Sequence, residues 1–203
     1  MVTIRTATFE DLKKISQTHI QCFSNSLSSQ IGEELLSNYY WEYMKENSEL
    51  FIVAEDGSEI VGFCMGYLCE KNKFKKKFIA HNCIALAFRV ALLVMLGNGV
   101  FYKRVSQLFV KNNTKKQEVI IEDTHILEEK GDLLSICVKS SQRGTGVATK
   151  LLLEYENRLK QFNRNFCMLS VENNNFRAIH FYEKNGYIIY KKYGKSYQYG
   201  KLL

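Results

Sequence analysis

Two periodicities organise the chain. Short runs of apolar and β-branched residues alternate with longer stretches whose apolar positions return every three or four residues. The first pattern predicts strands at about 2–6, 50–55, 59–69, 132–138, 166–171, 187–192 and 196–201. The second predicts helices at 9–22, 32–46, 146–162 and 175–185. Glu55-Asp56-Gly57-Ser58 between the second and third strands is a hairpin signal. Gly186 is placed to stop the last helix. Strands interleaved with helices in this way imply an α/β fold, a mixed sheet with helices on both faces.

Residues 71–130 interrupt that alternation between the third and fourth strands. Their core, Ile84 to Leu96, reads IALAFRVALLVML and holds Arg89. It falls short of the roughly 20 apolar residues a membrane-spanning helix needs. Gly97-Asn98-Gly99 breaks the run, so two helices are predicted, about 76–96 and 100–110.

Composition changes the picture in two places. At 203 residues, with 46% hydrophobic and 24% charged residues, the chain suits one globular domain, 1–203, with room for an appended piece. The net charge of +7 is unevenly distributed. From Lys71 to Gln117 there are eleven Lys or Arg and no acid, so the rest of the chain carries 7 − 11 = −4. Such a block suits an anionic partner. The basic residues flank an apolar helix rather than lining a reading helix or a stacking sheet, so nucleic acid is not the expected one. The six cysteines, 22, 64, 69, 83, 137 and 167, lack Cys-x-x-Cys spacing and mostly stand in apolar runs. Free buried thiols are expected rather than disulfides or zinc. The four histidines are scattered and no metal is expected. No basic-plus-apolar leader pattern opens the chain. A cytoplasmic protein is therefore expected, with peripheral contact on the inner membrane face as a further use of the basic block.

The sharpest chemical signal lies in Leu133 to Lys150. An apolar strand ends at Val138, a polar turn follows, and Arg143-Gly144-Thr145-Gly146-Val147-Ala148 leads into a helix. A strand, a small-residue loop and a helix N-terminus together aim backbone N–H groups at one point, a seat for phosphate. No P-loop string occurs, and the third small residue of a dinucleotide fingerprint is replaced by Thr149.

The hexamer is similar to the Arg/Gln-x-x-Gly-x-Gly/Ala pyrophosphate loop of the GNAT superfamily of N-acetyltransferases. A second GNAT-like block follows, Asn175-Phe176-Arg177-Ala178-Ile179-His180-Phe181-Tyr182, then three residues and Gly186-Tyr187. The resemblance covers residues 1–70 and 130–200. It implies a splay between the central strands; the helical insertion at 71–130 departs from the family, which has a short hairpin there. It also implies transfer of an acetyl group from acetyl-CoA to a primary amine. By that resemblance Arg143, Gly144, Thr145, Gly146, Val147 and Ala148 hold the pyrophosphate, with the Arg143 side chain adding a phosphate contact. The strand Ile136-Cys137-Val138 polarises the thioester and pairs with the pantetheine arm, and Asn175 bonds that arm. Tyr182 protonates the departing thiolate. Cys137 is disfavoured as an acyl-bearing nucleophile, since nothing beside it in sequence activates it. Glu172, Asp132, Glu122, Asp123, His125 and Ser135 are candidates for the general base and none is assigned; His180 is expected to face elsewhere.

The acceptor is less legible. The basic insertion suits an anionic small-molecule amine, such as an amino sugar on a nucleotide or lipid phosphate. A protein or peptide N-terminus is the alternative, and so is an idle acyl-CoA sensor. For the insertion, a helical hairpin packed on the sheet, membrane contact through 71–116 and a homodimer interface are the three readings.

Overall fold

A computed structural model describes residues 1–68, 73–111 and 130–203. Its centre is a mixed sheet with strand order β1-β2-β3-β4-β5-β7-β6. The strands are β1 (Thr3–Thr6), β2 (Phe51–Asp56), β3 (Glu59–Tyr67), β4 (Lys130–Val138), β5 (Phe166–Glu172), β6 (Ile188–Tyr193) and β7 (Ser196–Leu202). Each neighbouring pair is antiparallel except β4 with β5. The β2–β3 hairpin closes from Asp56 to Glu59 through Gly57, whose φ of 62° is available to glycine without strain. This is the seven-stranded α/β architecture expected.

Side chains alternate across β2, β3 and β4, and the two faces bury different partners. Phe51, Val53, Phe63, Met65 and Cys137 face α1 (Leu12–Cys22) and α3 (Glu33–Asn47), which contribute Leu12, Ile15, Leu36, Tyr40, Tyr43 and Met44. Ile52, Ala54, Val61, Cys64, Leu133 and Val138 face α7 (Val147–Gln161), which contributes Val147, Leu151, Leu152, Tyr155 and Leu159. The last helix, α8 (Phe176–Lys184), closes the same side with Tyr182. Helices therefore cover both faces. The first face is held by edge-to-face aromatics: Tyr43 meets Phe51 at 5.3 Å and Tyr40 meets Phe63 at 5.8 Å. The Tyr43 hydroxyl also bonds both the carbonyl and the N–H of Gly66, beside the β3 register shift at Met65/Gly66.

Where helices start and stop departs from the sequence expectation. A short α2 (Leu27–Gln30) stands between α1 and α3, capped by the Ser26 hydroxyl on the Ser29 N–H at 3.1 Å. The predicted helix at 76–96 is two helices, α4 (Lys73–His81) and α5 (Cys83–Met95), bent by 76°. Asn82 makes the break: its side chain bonds Phe78 O at 3.0 Å and accepts from Asn38 of α3 at 2.9 Å. An amide that competes for helix carbonyls favours such a corner. α6 (Gly99–Lys111) follows the Gly97-Asn98 turn, with Asn98 accepting from the Phe101 N–H at 2.9 Å. No single helix among the described residues is long and apolar enough to cross a membrane.

Candidate active site

β4 and β5 pair only from Lys130/Phe166 to Leu133/Leu169, yet β4 runs on to Val138 and β5 to Glu172. The two strands part in between. β4 keeps its other neighbour, with Cys64, Phe63 and Gly62 of β3 opposite Ile136, Cys137 and Val138. The next N–H, that of Lys139, bonds Val61 O at 2.8 Å. Backbone donors alternate sides along a strand. The N–H groups of Val138 and Ile136 therefore face the parting, while that of Cys137 turns toward β3. Of the three strand residues expected here, two are placed to donate into the gap. Because β4 and β5 are parallel, the loops leaving them emerge at the same sheet edge, where ligands of α/β sheets bind.

The loop after β4 is built to leave its donors open. The Arg143 N–H is taken by Ser140 O at 3.3 Å and the Thr145 hydroxyl by Gln142 O at 2.8 Å. Gly144 and Gly146 have φ of 80° and 85°, and a Cβ at either would meet nothing within 4 Å. Glycine thus supplies the backbone turn and keeps the approach clear. Gly146 caps α7 without any side-chain hydrogen bond. The first N–H groups of a helix lack partners within the helix. Together with the helix dipole they favour an anion here. Arg143 is exposed beside them, its guanidinium free to reach outward.

After β5, Asn175 caps α8: its Oδ1 accepts the Ala178 N–H at 3.3 Å. Asn175 itself does the capping, while Asn173 bonds the β6–β7 turn at Lys195 O and Gly194 O. The Asn175 Nδ2 is the donor it presents. Tyr182 is 8% exposed, and burial pushes its hydroxyl well above the usual phenol range. Its electrostatic neighbours are the thiols of Cys64 and Cys167, on the strands either side of β4. Tyr182 therefore lies over β4 on the α7 side. Its ring meets Tyr187 edge-on at 5.6 Å. Tyr187 in turn donates to Glu156 of α7 at 3.0 Å, and Lys201 of β7 donates to the other oxygen of that carboxylate at 2.8 Å.

Residues 116–187, which contain both blocks, match the family model described as "Acetyltransferase (GNAT) family". Over those residues the chain is similar to the GNAT acetyltransferases. Its whole length is similar in fold to PH1933 from Pyrococcus horikoshii OT3, with a TM-score of 0.62, 18% identity, and 100% of this chain and 99% of that one covered. It is similar also to the PaiA N-acetyltransferase of Thermoplasma acidophilum, solved in complex with coenzyme A (TM-score 0.57, 18% identity, 100% and 99% covered). A third likeness is to the ribosomal-protein-alanine N-acetyltransferase of Brucella melitensis (TM-score 0.58, 16% identity, 99% of each chain covered). No curated protein sequence matches this chain.

Other chemistry-bearing groups sort by position. Cys137 lies on the α1 side of β4, where burial pushes its thiol well above the usual range and a hydrogen bond joins it to Cys22, at the end of α1. A thiol so buried is a poor nucleophile, which supports direct transfer. Cys64, Cys137 and Cys167 are buried and free, as expected, whereas Cys22 is half-buried and Cys83 is exposed; Cys69 lies outside the described residues. Among the base candidates, Asp132 stands in the paired half of β4, with its carboxylate 3.5 Å from Lys130. Glu172 is exposed at the open end of β5, and Ser135 is half-buried in the parted stretch of β4. Glu122, Asp123 and His125 lie outside the described residues. His180 is exposed on α8. No group of His, Cys, Asp and Glu among the described residues is arranged to hold a metal.

Sequence reasoning passed over His19. It is buried, with Nδ1 2.6 Å from the Tyr40 hydroxyl and Nε2 3.0 Å from the Ser28 hydroxyl. Burial holds its pKa down to about 4, so the ring is neutral. Only the juxtaposition of α1, α2 and α3 reveals this network, and no local motif marks it.

Proposed function

We propose that this GNAT domain, read as one catalytic unit over residues 1–203, is an N-acetyltransferase that moves the acetyl group of acetyl-CoA directly to a primary amine. The observation that carries the reading is the parting of β4 from β5 next to an uncapped helix N-terminus. The residues present suit the cosubstrate. An open, glycine-lined loop meets the charge of a pyrophosphate, and an unpaired strand edge meets an amide-bearing arm. Acetyl-CoA supplies the activated acyl group and a thiolate leaving group. The N–H groups from Gly144 to Ala148 bind the diphosphate, with the Arg143 guanidinium beside them. The Ile136 and Val138 N–H groups hold the pantetheine arm and polarise the thioester carbonyl, while the Asn175 Nδ2 bonds the arm. Such fixed donors stabilise developing negative charge without reorganisation.

Tyr182 gives a proton, or a strong hydrogen bond, to the departing sulfur. Its raised pKa keeps the hydroxyl protonated throughout the physiological range. The acceptor amine, with an ordinary pKa of about 10, must lose a proton; Glu172 is the described carboxylate at the open end of the gap.

For the acceptor, the acid-free basic stretch from Lys71 to Gln117 favours an anionic amine, such as an amino sugar carried on a nucleotide or lipid phosphate. The likeness to the Brucella ribosomal-protein-alanine N-acetyltransferase supports a protein or peptide N-terminus as the second reading. A cytoplasmic location agrees with either.

Acetyl transfer measured across a panel of amines, including nucleotide-linked amino sugars and peptide N-termini, tests the reading. Tyr182→Phe should lower turnover by roughly 10² to 10⁴ and leave acetyl-CoA affinity almost unaltered. Unchanged turnover in that variant, with chemistry rate-limiting, removes Tyr182 from the reaction. Binding of acetyl-CoA without transfer to any member of the panel makes the protein an acyl-CoA sensor instead.

A further inference from the structure

Among the described helices, α5 is the richest in apolar residues and one of the least covered. Of its thirteen residues only Leu93 is buried. Ile84 is 83% exposed, Phe88 71% and Met95 77%, and Leu96 just beyond the helix is 72% exposed. Scattered apolar side chains on a surface are ordinary, but a whole helical face is not. The one charged residue of α5 is turned away from that face. Arg89 donates from Nε to Gln30 O at 3.0 Å and lies beside Gly32. The outward surface of α5 therefore carries no charge.

The helices on either side of that bare face carry exposed lysines. Residues 71–117 hold eleven Lys or Arg and no Asp or Glu. Lys76 of α4 and Lys103 of α6 are exposed on the two helices flanking α5. At about 1.5 Å per residue, α5 is about 20 Å long, shorter than a hydrocarbon core of about 30 Å. Together α4 and α5 have the length and composition of a span only as a pair bent by 76° at Asn82, so α5 has no collinear extension. A helix of this kind lies in an interface and does not cross it.

We propose that α5 is an in-plane membrane anchor: its apolar face enters the headgroup–acyl boundary of an anionic bilayer, and the flanking lysines rest on the lipid phosphates. Charge separates this occupant from a second copy of the chain. A symmetric dimer would press Lys76 and Lys103 toward the same lysines of a second copy, whereas an anionic leaflet has the opposite sign. The anchor is also tied, through α2 and α1, to the neighbourhood of β4. Gln30 of α2 bonds Arg89 and Asn98, and Cys22, at the end of the helix before α2, bonds Cys137 of β4. The anchor itself does not depend on acetyl transfer.

Co-sedimentation of the full chain with phosphatidylcholine vesicles, with and without phosphatidylglycerol, is the test. The protein should pellet with the anionic vesicles and remain in solution with the neutral ones. The double variant Ile84→Asp, Phe88→Asp changes only exposed side chains, so circular dichroism and acetyl-CoA titration should match the parent. Its vesicle affinity should fall on the order of a hundredfold. Lys76→Gln and Lys103→Gln should each cost about fivefold, with the same sign as added salt. A parent protein that ignores anionic vesicles, or a double variant that pellets as well as the parent, overturns the proposal. So does a parent dimer that the double variant splits, because a second copy then covers α5. A parent that binds anionic vesicles but not acetyl-CoA leaves the anchor standing and defeats only the acetyl-transfer reading.

Discussion

Two helices of this protein, α7 and α5, handle apolar residues in opposite ways. α7 collects Val147, Leu151, Leu152, Tyr155 and Leu159 on one face and buries them all against the sheet. Its exposed side carries Lys150, Asn157 and Lys160 with a single Leu153, and a Glu154–Arg158 pair at 2.9 Å runs along the helix. α5 is richer in apolar residues, turns its single cation inward, and leaves most of its hydrophobic side chains to solvent. Apolar content alone therefore does not decide burial. Spacing does, because α7 matches a sheet already present, and α5 meets no such surface among the described residues. One helix builds the domain; the other is free for an external surface.

The contrast breaks first on stability. Leu152→Ala should cost about 2–5 kcal/mol, as for other buried leucines, whereas Ile84→Ala should stay within about 0.5 kcal/mol of the parent. Chemical denaturation of the two variants measures this. Similar losses would mean that α5 is as integral to the fold as α7.

A smaller effect separates the two faces by pH. His19 has a pKa of about 4 in the fold against 6.5 when unfolded, so the unfolded chain binds more protons between those values. Stability should be complete above 6.5 and fall by up to about 3 kcal/mol as pH drops toward 4. Burial alone would raise Asp11, but hydrogen bonds from Arg5 and Thr8 bring it down to about 2. Its contribution is lost only below about 3.8, outside the His19 window. His19 anchors α2 through Ser28, and α2 carries Arg89, so acid should loosen the insertion side first. Hydrogen exchange at pH 5 should show faster opening in α2 and α5 than in α7. Uniform protection would deny the coupling.

The smallest of these effects sharpens the role given to the start of α7. Gly146→Val forces a β-branched residue to φ near 85° at the loop tip. Calorimetric titration should show acetyl-CoA affinity about tenfold weaker, with little change in α5 or in vesicle binding. Unaltered affinity would remove the loop from cosubstrate binding.

Much of this was legible in the sequence, for local reasons. The Glu55-Asp56-Gly57-Ser58 turn, the alternating strands and the two GNAT-like blocks depend on neighbours within a few residues, and each stands where expected. The helix over 76–96 did not show its corner, because Asn82 breaks it through an amide contact with Asn38, forty-four positions away. The Cys22–Cys137 contact and the His19 network were invisible for the same reason. The three-residue strand edge narrowed to Ile136 and Val138 because donor direction depends on pairing with β3, which sequence spacing does not reveal. Asn175, expected as a binder of the pantetheine arm, also caps α8, a local role that the resemblance does not describe.

The brief pairing of β4 with β5 has a consequence for the lifetime of the protein. This parallel seam is four residues long and then opens in the middle of the sheet. A strand edge left unpaired is a liability. Cosubstrate seated along it would complete the hydrogen bonding that the chain leaves undone. A ligand that binds only the folded form adds RT ln(1 + [L]/Kd), about 2.7 kcal/mol at one hundred times Kd. The persistence of this acetyltransferase in a cell would then follow the supply of coenzyme A: when the pool falls, the protein melts more easily and is cleared sooner.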